Sequence, residues 1–166
     1  MLPFTICPVG DTAVLARFEQ RIAQDIGASV TALNLRVAAA KIHGVVETVP
    51  AFASLLVFYD PLQTDYDAGA SAVLALAQTA DSGASAGQGR LVEIPVRYGG
   101  SFGPDLPFVA KHAGLSEQEV IARHAGREYR IYMLGFLPGF PYLGGLDERL
   151  FTPRLPTPRT AIPAGS

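Results

Sequence analysis

The chain has 166 residues, a formal net charge of −2 and 17% charged residues. Proteins that bind nucleic acid or an anionic membrane usually carry clustered Lys and Arg, so these figures argue against both kinds of partner. Cys7 is the only cysteine, which excludes an internal disulfide and favours a reducing compartment. The sequence has neither a signal-peptide pattern nor a run of about 18 apolar residues, so we expect a cytoplasmic protein that does not span a membrane.

The first half of the chain predicts alternating strands and helices. Residues 13–18 have strand composition and follow a turn at Gly10-Asp11. Residues 20–39 repeat apolar side chains with the period of one helical face, at Ile22, Ile26, Val30, Leu33 and Val37. Strands at 45–49 and 54–59, each stopped by a proline, precede a helix that begins near Thr64. The order strand, helix, strand, strand, helix predicts a ferredoxin-like α+β unit.

A change of composition divides the chain. Residues 81–89 are small and polar and predict a flexible linker, so we expect one domain at 1–80 and another at 90–166. Residues 91–98 alternate apolar side chains with Glu93 and Arg97, which predicts a strand. Two short helices should follow, one ending at Gly114 and one with a capping box at Ser116 and Glu119. Strand character resumes at 129–134.

The segment 135–145 reads GFLPGFPYLGG and is the main candidate for a functional surface. Its glycines and prolines interrupt regular pairing and force the backbone to turn. Aromatic side chains on such a frame can line a ligand pocket or an interface with a partner chain, and the candidates are Phe136, Pro138, Gly139, Phe140 and Tyr142. The alternative is that these rings fold back onto the core.

Charged candidates for a site are few. Arg154 and Arg159 lie among prolines that keep the segment extended, and arginine forks bind carboxylate or phosphate. His43 is a lesser candidate for a polar or acid–base role. Because Arg154, Arg159 and His43 are all weak candidates, no catalytic residue is assigned. No pair of histidines has metal-ligand spacing, and we expect no metal site within this chain alone.

Several segments together resemble a known bacterial family. They are the motifs Ile42-His43-Gly44, RYGG at 97–100, FLPGFPYL at 136–143, and Pro158-Arg159 leading to PAGS at 163–166. This set is similar to the family of 5-oxoprolinase B subunits. The family is also described as allophanate hydrolase subunit 1 or carboxyltransferase subdomain, and it includes the sporulation kinase inhibitor of bacilli. The resemblance covers almost the whole chain.

The resemblance implies a fold and a reaction. It implies a ferredoxin-like N-terminal domain followed by a cyclophilin-like β-barrel, which is expected to be truncated here because members continue past the PAGS motif. It also implies a protein that is inactive alone and acts with the A and C subunits of the enzyme, of which the C subunit is homologous to it. Together they convert 5-oxo-L-proline to L-glutamate with ATP hydrolysis, with ATP bound at the level of the complex.

On this interpretation Arg154 and Arg159 would clamp an anion, while the rings of segment 135–145, together with Arg97, would form a substrate or interface wall. Two other functions stay open within the same resemblance. One is a subunit of an allophanate or urea pathway hydrolase. The other is a regulatory inhibitor of a sensor histidine kinase, which would need a partner surface but no catalytic residues.

Overall fold

The computed structural model of the protein describes residues 1–79 and 89–162. The chain packs as two compact units, of which the first is Met1–Arg90 with Ile131–Leu143 and the second is Leu91–Arg130 with Gly144–Ser166. The first unit thus takes up a segment from late in the chain. The domain limits 1–80 and 90–166 stay a prediction, and the expected linker lies outside the described residues apart from Gly89.

The first unit contains a four-stranded antiparallel sheet and two helices. Its elements are β1 (Thr5–Val9), β2 (Ala13–Arg17), α1 (Gln24–Ala40), β3 (Val45–Pro50), β4 (Ser54–Tyr59) and α2 (Tyr66–Gln78). The strand order is β1-β2-β4-β3, so β4 lies between the two strands that α1 connects. The predicted order from β2 to α2 is confirmed.

The edge strand β1 is a feature that the sequence pattern does not predict. It pairs antiparallel with β2, and Pro8 lies opposite Val14. A proline cannot donate to a ladder and is therefore tolerated at a sheet edge. The turn expected at Gly10-Asp11 precedes β2 and connects it to β1.

The core of the first unit forms between α1 and the sheet. Ile26, Val30, Leu33 and Val37 are buried, as the helical period predicts, and they belong to the same cluster as Leu55 of β4. Burying each such side chain contributes about 1.5–3 kcal/mol. Ile22 is exposed because α1 begins at Gln24.

The start of α2 differs slightly from the expected one. Its cap is Asp65, one residue after the expected Thr64, and the Asp65 carboxylate accepts a hydrogen bond from the Ala68 N–H. Aspartate is among the strongest N-cap residues, so the shift by one position has a local physical reason.

Gly44, in the turn between α1 and β3, lies close to Thr64 just before α2, and a substitution there tests this contact. Its φ is +76°, and a Cβ placed there would lie 2.6 Å from Cγ2 of Thr64. We expect Gly44→Ala to lower the free energy of unfolding by about 1–3 kcal/mol, because strain and overlap add. Gly10→Ala is the control, since Gly10 has φ +57° but nothing within 4 Å. Chemical denaturation should show the smaller loss for Gly10→Ala, and equal losses would contradict the packing at Thr64.

The described residues of the second unit form two α-helices, α3 (Leu106–Ala113) and α4 (Glu117–Ala125). They also form two short 3-10 helices, Gly100–Phe102 and Glu148–Leu150. Gly114 ends α3 in the left-handed conformation, and Ser116 and Glu119 form the expected capping box of α4. The core is small and consists of Leu106, Ala110, Val120 and Leu150.

The strand predicted at residues 91–98 is wrong. This segment pairs with no strand within the described residues, and Leu91, Val92, Ile94 and Val96 are exposed. An alternating pattern forms a strand only where a neighbouring strand offers hydrogen-bond partners and an apolar face. The described residues supply no such neighbour to this segment.

A two-stranded sheet forms later in the chain. It joins β5 (Arg130–Leu134) and β6 (Pro141–Gly144). The sequence predicts β5, whereas the proline and glycine content of β6 argues against a strand there. The described fold is therefore mixed α and β with antiparallel strands.

Candidate functional site

The loop between β5 and β6, residues 135–140, is a compact turn closed by its own backbone. The Leu137 N–H donates to the Gly135 carbonyl at 2.7 Å, and the Phe140 N–H donates to the Leu137 carbonyl at 3.0 Å. The Gly135 N–H donates to the Phe140 carbonyl at 3.1 Å and closes the loop. Gly139 has φ +80°, a conformation that glycine adopts without steric cost.

Phe136 carries the unusual backbone of this loop. Its φ is +63°, a region in which a bulky residue costs about 1–2 kcal/mol. Its side chain is 81% exposed, so packing does not compensate for that cost. Strain held at an exposed aromatic residue is an observation that points to function.

Within the first unit, the aromatic side chains of this hairpin and one ring from the turn after β3 form a contiguous set, which we call the aromatic row. Its members in order of contact are Phe136, Phe140, Tyr142, Phe52 and Tyr132. Successive ring centroids are 5.8, 5.5, 6.0 and 5.3 Å apart. The first three contacts are edge-to-face, a geometry that the ring quadrupoles favour. The row runs from a packed end at Tyr132 to an exposed end at Phe136.

The packed end of the row touches helix α1. A Cβ on Gly27 would lie 2.9 Å from Cε1 of Tyr132, so glycine is required for this close approach. The helix therefore fixes where the hairpin lies within the first unit.

Phe52 also borders a groove in the first unit. The groove has a volume of about 320 Å³, and its lining residues are Gln20, Arg21, Ile22, Ala51, Phe52, Ala53 and Ser54. The groove is open to solvent and is lined by both apolar and polar side chains. The aromatic row and this groove thus meet at one ring.

Arg159 is held by a carboxylate in the second unit. Its Nη1 donates to Oδ2 of Asp105 at 2.6 Å, and its Nη2 donates to Oδ1 at 2.5 Å. The hydrogen bond from the guanidinium holds the pKa of Asp105 below its usual range, and the same pair raises the pKa of Arg159. The interaction is therefore present at neutral pH and is lost as the pH falls through the lowered pKa of Asp105.

The other charged candidates occupy simpler positions. Arg154 is exposed and has no hydrogen-bond partner among residues 1–79 and 89–162. Arg97 lies with its guanidinium carbon 4.4 Å from the ring centre of Phe102, a cation–π contact. His43 is exposed in the turn between α1 and β3.

The structure brings only some of the predicted site residues together. Phe136, Phe140 and Tyr142 form one contiguous surface. The contacts of Arg97 and Arg159 are separate from each other, since one arginine lies over a ring and the other is held by a carboxylate.

Sequence reasoning misses three aromatic positions of interest. Phe52 and Tyr132 belong to the aromatic row, and an aromatic residue in the tight turn after Pro50 is the available signal for Phe52. The third is His124, which lies between two tyrosines of the second unit. Its Nδ1 is 2.6 Å from the Tyr98 hydroxyl, and its ring centroid is 5.4 Å from that of Tyr129.

The described part of the chain contains no group of three or more His, Cys, Asp or Glu side chains that could hold a metal ion. Two backbone N–H groups of the glycine-rich turn at Gly99 to Gly103 are used within the turn. The Phe102 N–H donates to the Gly99 carbonyl, and the Gly103 N–H donates to the Gly100 carbonyl. No helix among the described residues is long and apolar enough to cross a membrane.

Comparison with known proteins places these features in a family. Residues 4–166 match the family described as carboxyltransferase domain, subdomain C and D. The chain is 41% identical over 174 residues to a protein of Bacillus subtilis (strain 168) that is named as the B subunit of 5-oxoprolinase, and this match covers 98% of the chain and 72% of that protein.

Two further comparisons support the same family. A 5-oxoprolinase B subunit of Escherichia coli O157:H7 is 57% identical over 79 residues, which are 48% of this chain and 36% of that protein. The crystal structure of TTHA0988 superposes with a TM-score of 0.75 at 37% identity, covering 92% of this chain and 29% of that one. On the strength of the match along nearly its whole length, the chain belongs to the family of 5-oxoprolinase B subunits.

Proposed function

We propose that this chain is a non-autonomous subunit of an ATP-dependent 5-oxoprolinase, which opens the lactam of 5-oxo-L-proline to give L-glutamate. The observation that carries the proposal is the 41% identity to a 5-oxoprolinase B subunit over 98% of the chain. The relative's name describes one subunit of an enzyme, which supports action within a complex.

The chemistry explains why a complex is needed. Amide resonance makes a lactam carbonyl a poor electrophile, so water attacks it slowly unless the carbonyl oxygen is activated. The described residues contain no group of three or more His, Cys, Asp or Glu side chains that could hold a metal ion. We assign ATP and the activation step to partner subunits, and substrate enclosure to this one.

The aromatic row is the surface that we assign to the partners, which are the homologous C subunit of the enzyme together with its A subunit. The exposed end of the row presents Phe136 and Phe140, with Pro138 and Gly139 shaping the loop between them. Exposed aromatic residues on a firmly held base are the usual anchors of protein interfaces. A strained backbone that holds an exposed ring, as at Phe136, is retained more readily if a partner buries that ring.

The charged candidates take supporting roles in this proposal. Arg159 and Arg154 would attract the carboxylate of the substrate, and Arg97 would contribute to the enclosing wall. His43 stays a lesser candidate because its turn places it in solvent. None of these residues supplies a nucleophile.

For the fold, we propose a ferredoxin-like first unit and a cyclophilin-like barrel to which the second unit belongs. The position of β4 between β2 and β3 supports the first assignment, because this split β-α-β arrangement is typical of ferredoxin-like domains.

An omission assay tests the proposed function. Glutamate formation from 5-oxoproline and ATP is measured with the A and C subunits in the presence and in the absence of this chain. We expect turnover only when all three proteins are present. Equal turnover without the chain would exclude a role in this reaction.

A further inference from the structure

Asp105 and Arg159 form an unusually complete ion pair for two half-exposed side chains. Both carboxylate oxygens accept a hydrogen bond from a separate terminal nitrogen, at 2.6 and 2.5 Å. The partners are 54 residues apart in the sequence, so the pair joins the start of α3 to the proline-rich segment around Arg159. Two parallel bonds between planar groups fix the orientation of the guanidinium as well as its position.

The Asp105 carboxylate binds Arg159 and not the start of its own helix. Asp105 is the N-cap residue of α3, but its backbone angles are helical (φ −91°, ψ −6°) and its side chain makes no capping hydrogen bond. In the same chain Asp65, Ser116 and Asp147 each accept a hydrogen bond from the backbone at the start of their helix. Those three residues have the extended backbone that capping requires and Asp105 does not, so the Asp105 carboxylate is free to bind Arg159.

The pair leaves one edge of the guanidinium available. Asp105 occupies the edge between Nη1 and Nη2. The other bidentate edge, formed by Nε–H and the second hydrogen of Nη2, has no partner within the described residues 1–79 and 89–162. Side-on binding of a carboxylate uses this second edge. The side chain of Arg159 is 46% exposed, so a small solute can reach it.

We propose that Arg159 binds the carboxylate of a small substrate through its Nε edge, and that Asp105 is the positioning residue that presents this edge. The inference rests on the proposed function for the identity of the ligand, a cyclic amide that carries a carboxylate. Asp105 does not compete for that ligand, because it occupies the opposite edge. Its negative charge opposes a second anion, but water screens this repulsion at an exposed site.

Titration of the isolated chain with 5-oxoproline tests the inference by NMR of the arginine Nε–H signals. We expect the Arg159 signal to shift with 5-oxoproline and to stay in place with 2-pyrrolidinone, which has the same ring without the carboxylate. An unchanged Arg159 signal at the highest soluble concentration of 5-oxoproline would overturn the proposal.

Two variants of Asp105 and one control variant show whether Asp105 positions Arg159 or competes with the ligand. Asp105→Asn should weaken 5-oxoproline binding about tenfold, since the amide NH₂ cannot accept from the guanidinium. Asp105→Glu should recover part of the affinity. Glu117→Gln removes a charge near the start of the neighbouring helix and should leave binding unchanged. Tighter binding by Asp105→Asn would show that Asp105 competes with the ligand, and it would overturn the positioning role.

One control concerns the stability of the Asp105 variant, and another separates this proposal from the proposed function. The melting temperature of Asp105→Asn should match that of the wild type, because exposed ion pairs contribute little to folding. The titration needs none of the partner proteins, so its failure would leave the assignment to a 5-oxoprolinase complex standing. Conversely, a failed omission assay would contradict the assignment of 5-oxoproline as the substrate. A measured shift of the Arg159 NMR signal would still show that this arginine binds a carboxylate.

Discussion

Replacing Phe136 with alanine is expected to weaken binding of the partner subunits about 30-fold. The ring is 81% exposed in the isolated chain and is backed by Phe140, so a partner can bury it against a firm base. Loss of a central aromatic anchor costs about 2 kcal/mol, which corresponds to that factor. The measurement is the concentration of this chain that gives half-maximal glutamate formation with the other subunits held constant.

Two further variants make the result specific. Leu62→Ala is the matched control, since Leu62 is a large apolar side chain that is 94% exposed in the same unit but lies outside the aromatic row. It should not change the half-maximal concentration. Phe136→Gly should lose the same affinity as the alanine variant and be no less stable, because glycine adopts φ +63° freely. Equal effects of Leu62→Ala and Phe136→Ala would contradict an interface at the aromatic row.

Replacing Gly27 with leucine is expected to lower the free energy of unfolding by about 3 kcal/mol. Even a Cβ at this position would lie 2.9 Å from the ring of Tyr132, and a leucine would displace that ring. Forcing extra volume into a packed site costs about 1–3 kcal/mol or more. In an isolated helix the same change would be favourable by about 1 kcal/mol, so the sign of the effect reports on the contact with the hairpin.

The control for Gly27→Leu is Ala39→Leu, an exposed position in the same helix. Its effect on denaturation should stay within about 0.5 kcal/mol. Adding Tyr132→Ala to Gly27→Leu should cost less than Tyr132→Ala costs alone, since the leucine fills space that the ring has left. Strictly additive losses would show that helix α1 does not position the hairpin.

Regular elements with a strong local signal are predictable from the sequence. The buried face of α1 follows from its apolar period, and the capping box at Ser116 and Glu119 follows from two side chains three residues apart. Strands depend on a partner that local sequence does not specify. For this reason the alternating segment 91–98 predicts a strand that the structure does not contain, while β1, with Pro8 at the sheet edge, escapes prediction.

The candidate surface is predictable in part. Glycine, proline and aromatic residues at 135–145 indicate a shaped loop, and Phe136 is indeed exposed there. The contact of Tyr142 with the ring of Phe52 depends on the tertiary fold, because Phe52 lies about 90 residues earlier in the chain. Likewise, the carboxylate that holds Arg159 comes from Asp105, and no local pattern links them.

Isolation of the assembled complex tests most directly whether this chain is part of the enzyme. The A and C subunits are mixed with this chain, the complex is separated by size-exclusion chromatography, and glutamate formation from 5-oxoproline and ATP is measured in each fraction. We expect activity to elute only where this chain elutes. When the Phe136→Ala variant replaces the wild type at a concentration too low for the variant to bind its partners, the activity should disappear from that position. Activity that elutes without this chain would contradict its role in the enzyme.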